Sequence, residues 1–228
     1  MSEQSAETAS LPSVMSELAA LDDPKVRAVN ARHGDDHGVK LSELRALAKR
    51  LKTRHELALQ LWGTGDGAAR LLAMLTCRPR EFDRDELDAM VRAARMPKVH
   101  DWLVNYVVKK SPHAEELRTE WAGDGDPLVA AAAWDLTTRR VVGRPAGLDL
   151  AALLDAIDSG LRDAPEATRW AMNSCLAAIG IEHAEFRDRA VAIGERVGAF
   201  RDYPTSPGCT SPYAPTWIAE MVRRKGGA

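Results

Sequence analysis

The sequence predicts an all-α fold in which antiparallel helix pairs stack into a solenoid. Apolar residues recur with helical spacing along most of the chain, and glycine- or proline-rich breaks interrupt them at intervals of about one helix. No segment alternates apolar and polar residues over the length of a strand between turn residues. Helices joined by short loops are therefore expected throughout.

The elements follow in order from a polar lead. Residues 1–20 are expected to be partly disordered, and residues 21–228 to form a single repeat domain. The first clear amphipathic helix begins at Leu41, where an apolar stripe through Leu44 and Leu51 lies opposite a basic stripe. Breaks such as "GTGDG" and "GDGDP" then separate successive helices.

The later helices indicate a repeat. Candidate inner helices recur about every 30 residues, with a longer last interval, and one antiparallel helix pair fits each interval. They are 45–52, 68–75, 101–108, 129–136 and 169–176. The predicted architecture is thus a HEAT-like helical-repeat solenoid of antiparallel helix pairs, whose inner helices line a concave groove.

Composition excludes several classes of protein. The 228 residues contain no apolar run long enough to span a bilayer, and the N-terminus lacks the basic and apolar regions of a secretory signal. Three cysteines without CxxC spacing are typical of reduced thiols, so a cytoplasmic location is predicted. His33 and His37 lie in a glycine-flanked loop without a third ligand nearby, and neither a metal nor a cofactor is expected.

Charge is distributed unevenly along the chain. Five of the 33 acidic residues and none of the 31 basic residues lie in 1–24, so the remainder is net basic. Basic residues cluster at 45–54, 77–80, 107–110, 137–144 and 222–227. A single cluster is usually a solvated helix face, but recurrence in successive repeats favours a polyanionic partner.

The segment "HDWLVNYVVKK", residues 100–110, has two chemically different sides. In a helical projection Leu103 and Val107 form an apolar anchor, whereas Trp102, Asn105, Tyr106 and Lys109 share the other side. The tryptophan-then-amide spacing recurs at Trp170 and Asn173. Packing explains each tryptophan taken singly, but the repeated pairing favours a site that faces the groove.

Residues 33–75, "HGDDHGVKLSELRALAKRLKTRHELALQLWGTGDGAARLLAML", resemble the opening of the AlkD-type DNA alkylation repair proteins. The resemblance continues more weakly through 98–140 and 164–197. That family has HEAT-like repeats and includes DNA glycosylases that excise 3- and 7-alkylpurines. The resemblance implies double-stranded DNA in the basic groove, with aromatic faces and a carboxylate acting on the cationic lesion.

The family's catalytic set is only partly matched. In the family, the carboxylate lies four residues after a tryptophan. If Trp102 corresponds to that tryptophan, Tyr106 stands at the carboxylate position. In a register shifted by one, Asn105 stands for the carboxylate and Asp101 for the tryptophan. The expected arginine falls near Ala132, and the second aromatic near Ser174 unless Trp170 substitutes.

Two functions therefore stay open. One is a monomeric DNA-binding protein of alkylation repair, with or without glycosylase activity, for which Trp102, Asn105 and Tyr106 are the catalytic candidates. The other is a non-catalytic scaffold that binds DNA structures or a partner protein in the same groove. The predicted DNA contacts are Arg45, Lys49, Lys109, Lys110, Arg139, Arg140, Arg169, Trp170 and Asn173.

Overall fold

A computed structural model describes residues 9–226. Thirteen α-helices and no strand occur within that range, which confirms the all-α prediction. In chain order they are α1 (Leu11–Ala20), α2 (Pro24–Ala31), α3 (Leu41–Leu51), α4 (His55–Gly63), α5 (Gly67–Thr76), α6 (Arg84–Ala93), α7 (Pro97–Trp102), α8 (Ala114–Glu120), α9 (Pro127–Gly143), α10 (Leu150–Gly160), α11 (Glu166–Glu182), α12 (Arg187–Val197) and α13 (Ala214–Gly226). A π-helical segment (Leu103–Val107) and a 3-10 turn (Val108–Lys110) continue α7, and a second 3-10 turn (Ala184–Phe186) precedes α12.

Part of the N-terminal lead is helical. Residues 1–8 lie outside the described part of the chain, but helix α1 occupies half of the expected polar lead. The Ser10 hydroxyl caps its first turn in a capping box with Ser13, and Val14 and Leu18 are buried. Two buried apolar residues four apart and the cap stabilise this helix, and partial disorder of the lead as a whole stays a prediction.

Aspartates in the predicted breaks start the helices that follow. The Asp66 carboxylate accepts a hydrogen bond from the Ala69 amide at 2.8 Å and caps α5. Asp126 and Asp149 cap α9 and α10 in the same way. An aspartate in this position satisfies a backbone amide that has no partner within its helix. The breaks in the sequence thus correspond to helix N-termini.

The described residues divide into two compact units between Ala114 and Glu115. In the first unit α5 packs against α3, α4 and α7, and Leu44, Leu61 and Leu71 are fully buried in its core. The single domain over 21–228 stays a prediction.

Helix α11 is the centre of the second unit. It packs against α9, α10, α12 and α13. Small residues permit the close approach: a Cβ added to Gly180 would lie 2.5 Å from the Ile218 Cδ1 atom on α13. Cys175, Leu176 and Ile179 are fully buried on the same helix.

The loop at residues 33–38 has a structural role. The Asp35 carboxylate accepts a hydrogen bond from the Lys98 amide at 2.8 Å, in the first turn of α7. His37 is buried, and its carbonyl accepts a hydrogen bond from the Asn30 side chain. Across residues 9–226 no group of three or more His, Cys, Asp or Glu side chains is placed to hold a metal ion. The loop instead determines where α7 begins.

Candidate functional site

The segment 101–110 changes helix type at the candidate site. Helix α7 begins with Pro97 at its first turn, and the chain becomes π-helical from Leu103 to Val107. A π turn has i→i+5 hydrogen bonds and is wider than an α turn, so side chains four apart lie more nearly above one another. Short π segments occur frequently at functional sites. Here the wider turn produces two parallel rows of side chains.

The first row consists of two aromatic rings between two cations. The Arg45 guanidinium on α3 lies 5.3 Å from the centre of the Trp102 ring. The Trp102 and Tyr106 rings meet edge to face at 5.2 Å, and the Lys110 ammonium lies 5.5 Å from the centre of the Tyr106 ring. These four residues are called the cation–aromatic ladder below. Each contact is within the range in which a cation or a ring edge is attracted to a π face.

The second row is polar and runs beside the first. The Asn105 amide donates hydrogen bonds to the Asp101 carboxylate at 2.8 Å and to the Asp101 carbonyl at 2.9 Å. The Lys109 ammonium donates to the Asn105 side-chain oxygen at 2.6 Å. The amide therefore links an exposed carboxylate to an ammonium group. Asp101 was not among the catalytic candidates predicted from the sequence, although it lies four residues before Asn105.

The burial of side chains in residues 100–110 confirms the predicted apolar side of this segment and corrects the predicted groove-facing side. Leu103 and Val107 are fully buried, as predicted. Trp102 is only 4% exposed, so the expectation of an open, groove-facing indole was wrong. The Tyr106 ring and the Arg45 side chain cover it. The helical projection assumed a uniform 100° per residue, and the π turn does not follow that rule.

Three predicted cations on the first unit are available to an anion. Arg45, Lys49 and Lys110 are exposed, and within residues 9–226 none of them is paired with a carboxylate. Arg50 on the same helix as Arg45 differs, because it pairs with Glu17 on α1. The charge of the three cations is thus not neutralised by the protein itself.

The predicted cations on the second unit differ in availability. Arg139 is exposed and makes no ion pair within the described residues. Arg140 pairs with Glu115 at 2.7 Å and also donates to the carbonyls of Arg144 and Ala146. Hydrogen bonds from Arg118 and then Arg140 hold the pKa of the Glu115 carboxyl below its usual range. The expectation that Arg140 is a free phosphate ligand is corrected, because it pairs with the Glu115 carboxylate that it shares with Arg118.

Trp170 and Asn173, the tryptophan and amide predicted on α11 to contact DNA, differ in exposure. Asn173 is only 2% exposed, and its amide donates to the Pro212 carbonyl at 2.8 Å, so its assignment as a DNA contact is corrected. At that burial, neither the second N–H of the amide nor its oxygen is accessible to DNA. Arg169 is half-buried and donates to the Ala164 carbonyl at 2.8 Å. Trp170 is 42% exposed.

Trp170 has two aromatic neighbours that sequence analysis missed. Its ring meets Phe200 at 4.8 Å and Tyr203 at 5.4 Å, both edge to face. Phe200 and Tyr203 belong to the loop between α12 and α13, where no helical periodicity draws attention to them. The aromatic spacing in "AFRDY" was the only signal for them in the sequence.

At the two positions where the resemblance expects an arginine and a second aromatic residue, the side chains that are present cannot serve as either. Ala132 is fully buried in α9. The Ser174 hydroxyl donates to the Trp170 carbonyl at 3.0 Å within α11.

No helix among the described residues is both long and apolar enough to cross a membrane.

Comparisons with known proteins agree with this architecture. A family profile described as DNA alkylation repair enzyme matches residues 14–218. One similar solved structure is described as a new family of proteins related to the HEAT-like repeat DNA glycosylases with affinity for branched DNA structures. It has 24% sequence identity and a TM-score of 0.78, and the match covers 95% of each chain. That likeness confirms the HEAT-like repeat fold. No curated protein matched significantly.

Proposed function

The chain belongs to the DNA alkylation repair enzyme family, and we propose that it binds double-stranded DNA through the exposed cations of its first unit. The observation that carries the proposal is the cation–aromatic ladder of Arg45, Trp102, Tyr106 and Lys110. Lys49 adds one more exposed charge on α3. Cations that the protein leaves unneutralised gain most from phosphates, since binding releases the counterions of the DNA.

Ion pairing favours DNA over a protein partner as the occupant of this surface. Several exposed arginines of the first unit are neutralised locally, as Arg27 is by Asp22 and Arg78 by Glu81. Arg32 and Arg80 are exposed without an ion pair among the described residues. The centre of a protein-binding surface usually has fewer charged residues and more apolar area than the rest of the protein surface. The surface around Lys49 and Lys110 retains net charge, which fits a polyanion.

The similar solved structure supports a finer proposal about the kind of DNA. Its description names affinity for branched DNA structures. We extend that preference to this chain, so that a branched substrate is bound more tightly than a linear duplex. The proposal also includes action as a monomer in the cytoplasm, in keeping with three cysteines that form no disulfide.

Excision of cationic N3- or N7-alkylpurines is the second candidate function. Tyr106 stands at the place of the family's carboxylate in one register and Asn105 in the other, and neither a phenol nor an amide supplies a full negative charge there. One feature favours excision: Asp101 presents an exposed carboxylate one turn before Asn105 and next to Trp102. The two functions differ in whether the glycosidic bond of a bound lesion is broken.

Salt-dependent binding tests the DNA proposal. If Arg45, Lys49 and Lys110 each neutralise one phosphate, the slope of log K against log salt is expected to be about −3. The Arg45→Ala, Lys110→Ala double variant should reduce that slope by about 2, equally on all sequences. Arg50→Ala is the matched control, because Glu17 already neutralises that arginine. Binding that is insensitive to salt, or absent at low salt, would contradict the proposal.

A parallel assay addresses excision and branch preference. Release of 7-methylguanine from alkylated DNA is measured for the wild type and for Asp101→Asn, which keeps the side-chain shape but removes the charge. Excision by the wild type that Asp101→Asn abolishes would support the second candidate.

Affinities for a four-way junction and for a linear duplex of the same sequence, measured together, decide the branch preference.

A further inference from the structure

The second unit carries an exposed group of three aromatic rings, called the aromatic triad here: Trp170, Phe200 and Tyr203. Their centres lie 4.8, 5.4 and 6.0 Å apart, and all three pairs are edge to face. Trp170 is 42% exposed and Tyr203 is 49% exposed. Each edge-to-face pair covers one ring face, so the three contacts leave other faces uncovered by the triad itself.

The triad is held in place by its surroundings. Phe200 has φ of 59°, in the left-handed region that a bulky residue rarely adopts. Asn173 on α11 fixes the far end of the loop through the Pro212 carbonyl, and Arg201 donates to the Glu195 carbonyl at 2.9 Å. A loop that retains an unfavourable backbone angle to present an aromatic ring indicates a functional constraint on that ring.

Two arginines lie next in sequence to triad rings. Arg169 and Arg201 each precede a chain segment that carries a triad ring, and both donate to backbone carbonyls. Within the described residues neither pairs with a carboxylate, whereas Arg189 pairs with Asp155 on the same unit. Asp202 in the loop and Glu166, one turn before Trp170 on α11, equal the two arginines in number, so attraction to phosphate depends on the arginine side chains and not on a net positive charge.

We propose that the aromatic triad stacks against unpaired nucleobases of DNA, while Arg169 and Arg201 attract the adjoining phosphates. Exposed aromatic faces next to unneutralised arginines are the combination that single-stranded nucleic acid binds, because every base has a π face. The inference rests on the proposed DNA-binding function and deepens it: the first unit binds duplex, and the triad selects DNA that has unpaired bases, as at gaps, tails and open branch points.

The test uses the full-length protein and three DNA probes: a blunt duplex, the same duplex with an oligothymidylate tail, and the same duplex with an abasic tail of equal length. The abasic tail keeps every phosphate and removes only the bases. The wild type is expected to bind the thymidylate tail on the order of tenfold more tightly than the abasic tail. Tyr203→Ala and Phe200→Gly should each remove most of that preference and leave blunt-duplex binding unchanged.

Two controls separate stacking from folding. Phe200→Gly relieves the left-handed strain, so its thermal midpoint should change by no more than about 5 °C while the preference is lost. Val142→Ala truncates another exposed apolar side chain of the same unit and should keep the preference. Tyr203→Phe retains the ring and should keep it as well.

The outcomes are distinguishable. Blunt-duplex binding without a preference for the thymidylate tail overturns the inference and leaves the proposed function standing. A preference that survives both Tyr203→Ala and Phe200→Gly also overturns it, because the bases then stack elsewhere. Failure of the wild type to bind any of the three probes overturns the proposed function and this inference together.

Discussion

Trp102→Ala distinguishes a packed indole from an open one. The structure places this ring at 4% exposure, against Tyr106 and beneath the Arg45 guanidinium. Truncation of a buried tryptophan to alanine costs about 3–5 kcal/mol, from lost burial and the remaining cavity. A domain is typically stable by only about 5–15 kcal/mol, so the variant should lose a large fraction of its stability.

The assay is urea unfolding followed by circular dichroism, with the thermal midpoint as a second measurement. The midpoint should fall by roughly 6–20 °C for the whole chain. Trp170→Ala is the matched control: its ring is 42% exposed, so its loss of stability should be smaller, about 2–3 kcal/mol when scaled by buried area. Trp102→Phe retains a ring in the cavity and should fall between the wild type and Trp102→Ala.

A loss below about 1 kcal/mol for Trp102→Ala would refute the reasoning. It would mean that the indole is not packed as the structure shows, and it would restore the expectation that this ring faces DNA. DNA affinities of the variant must be compared at a temperature where it is fully folded, because an unfolded fraction lowers apparent affinity without any lost contact.

Two further predictions concern titratable groups. Asn105→Asp replaces an amide that donates to Asp101 at 2.8 Å with a second carboxyl group that repels it. The Lys109 ammonium, which already donates to this side chain at 2.6 Å, offsets part of the repulsion, and the net effect should be to raise the pKa of the pair above its unfolded value. The variant should therefore be less stable than the wild type at neutral pH, and urea unfolding should show the difference narrowing as pH falls through the raised pKa; a gap that widens at low pH would contradict this. Burial raises the pKa of Cys77 to about 11 and of Cys175 to about 12, whereas Cys209 is exposed. Alkylation of the native protein at about pH 8, followed by mass spectrometry, should modify Cys209 first and the other two only in denaturant; early modification of Cys175 would show that α11 opens locally.

The sequence by itself determined the all-α class, the helix starts and the apolar anchor of the central segment. These depend on interactions close along the chain: an aspartate such as Asp66 caps the helix that begins beside it, and Leu103 and Val107 lie on one side of any helical turn. Arg45, Lys49 and Lys110 are exposed, and their assignment as DNA contacts, with Lys109, stays a prediction.

Only the tertiary structure decided which of the predicted contacts are available. In the folded protein Arg140 forms an ion pair with Glu115. The Asn173 amide is buried and donates a hydrogen bond to the carbonyl of Pro212, which is 39 residues further along the chain. The aromatic triad arises in the same way, when a loop between two helices returns to Trp170. Helical periodicity describes one element at a time, whereas neutralisation, burial and ring stacking depend on what packs against that element from distant parts of the chain.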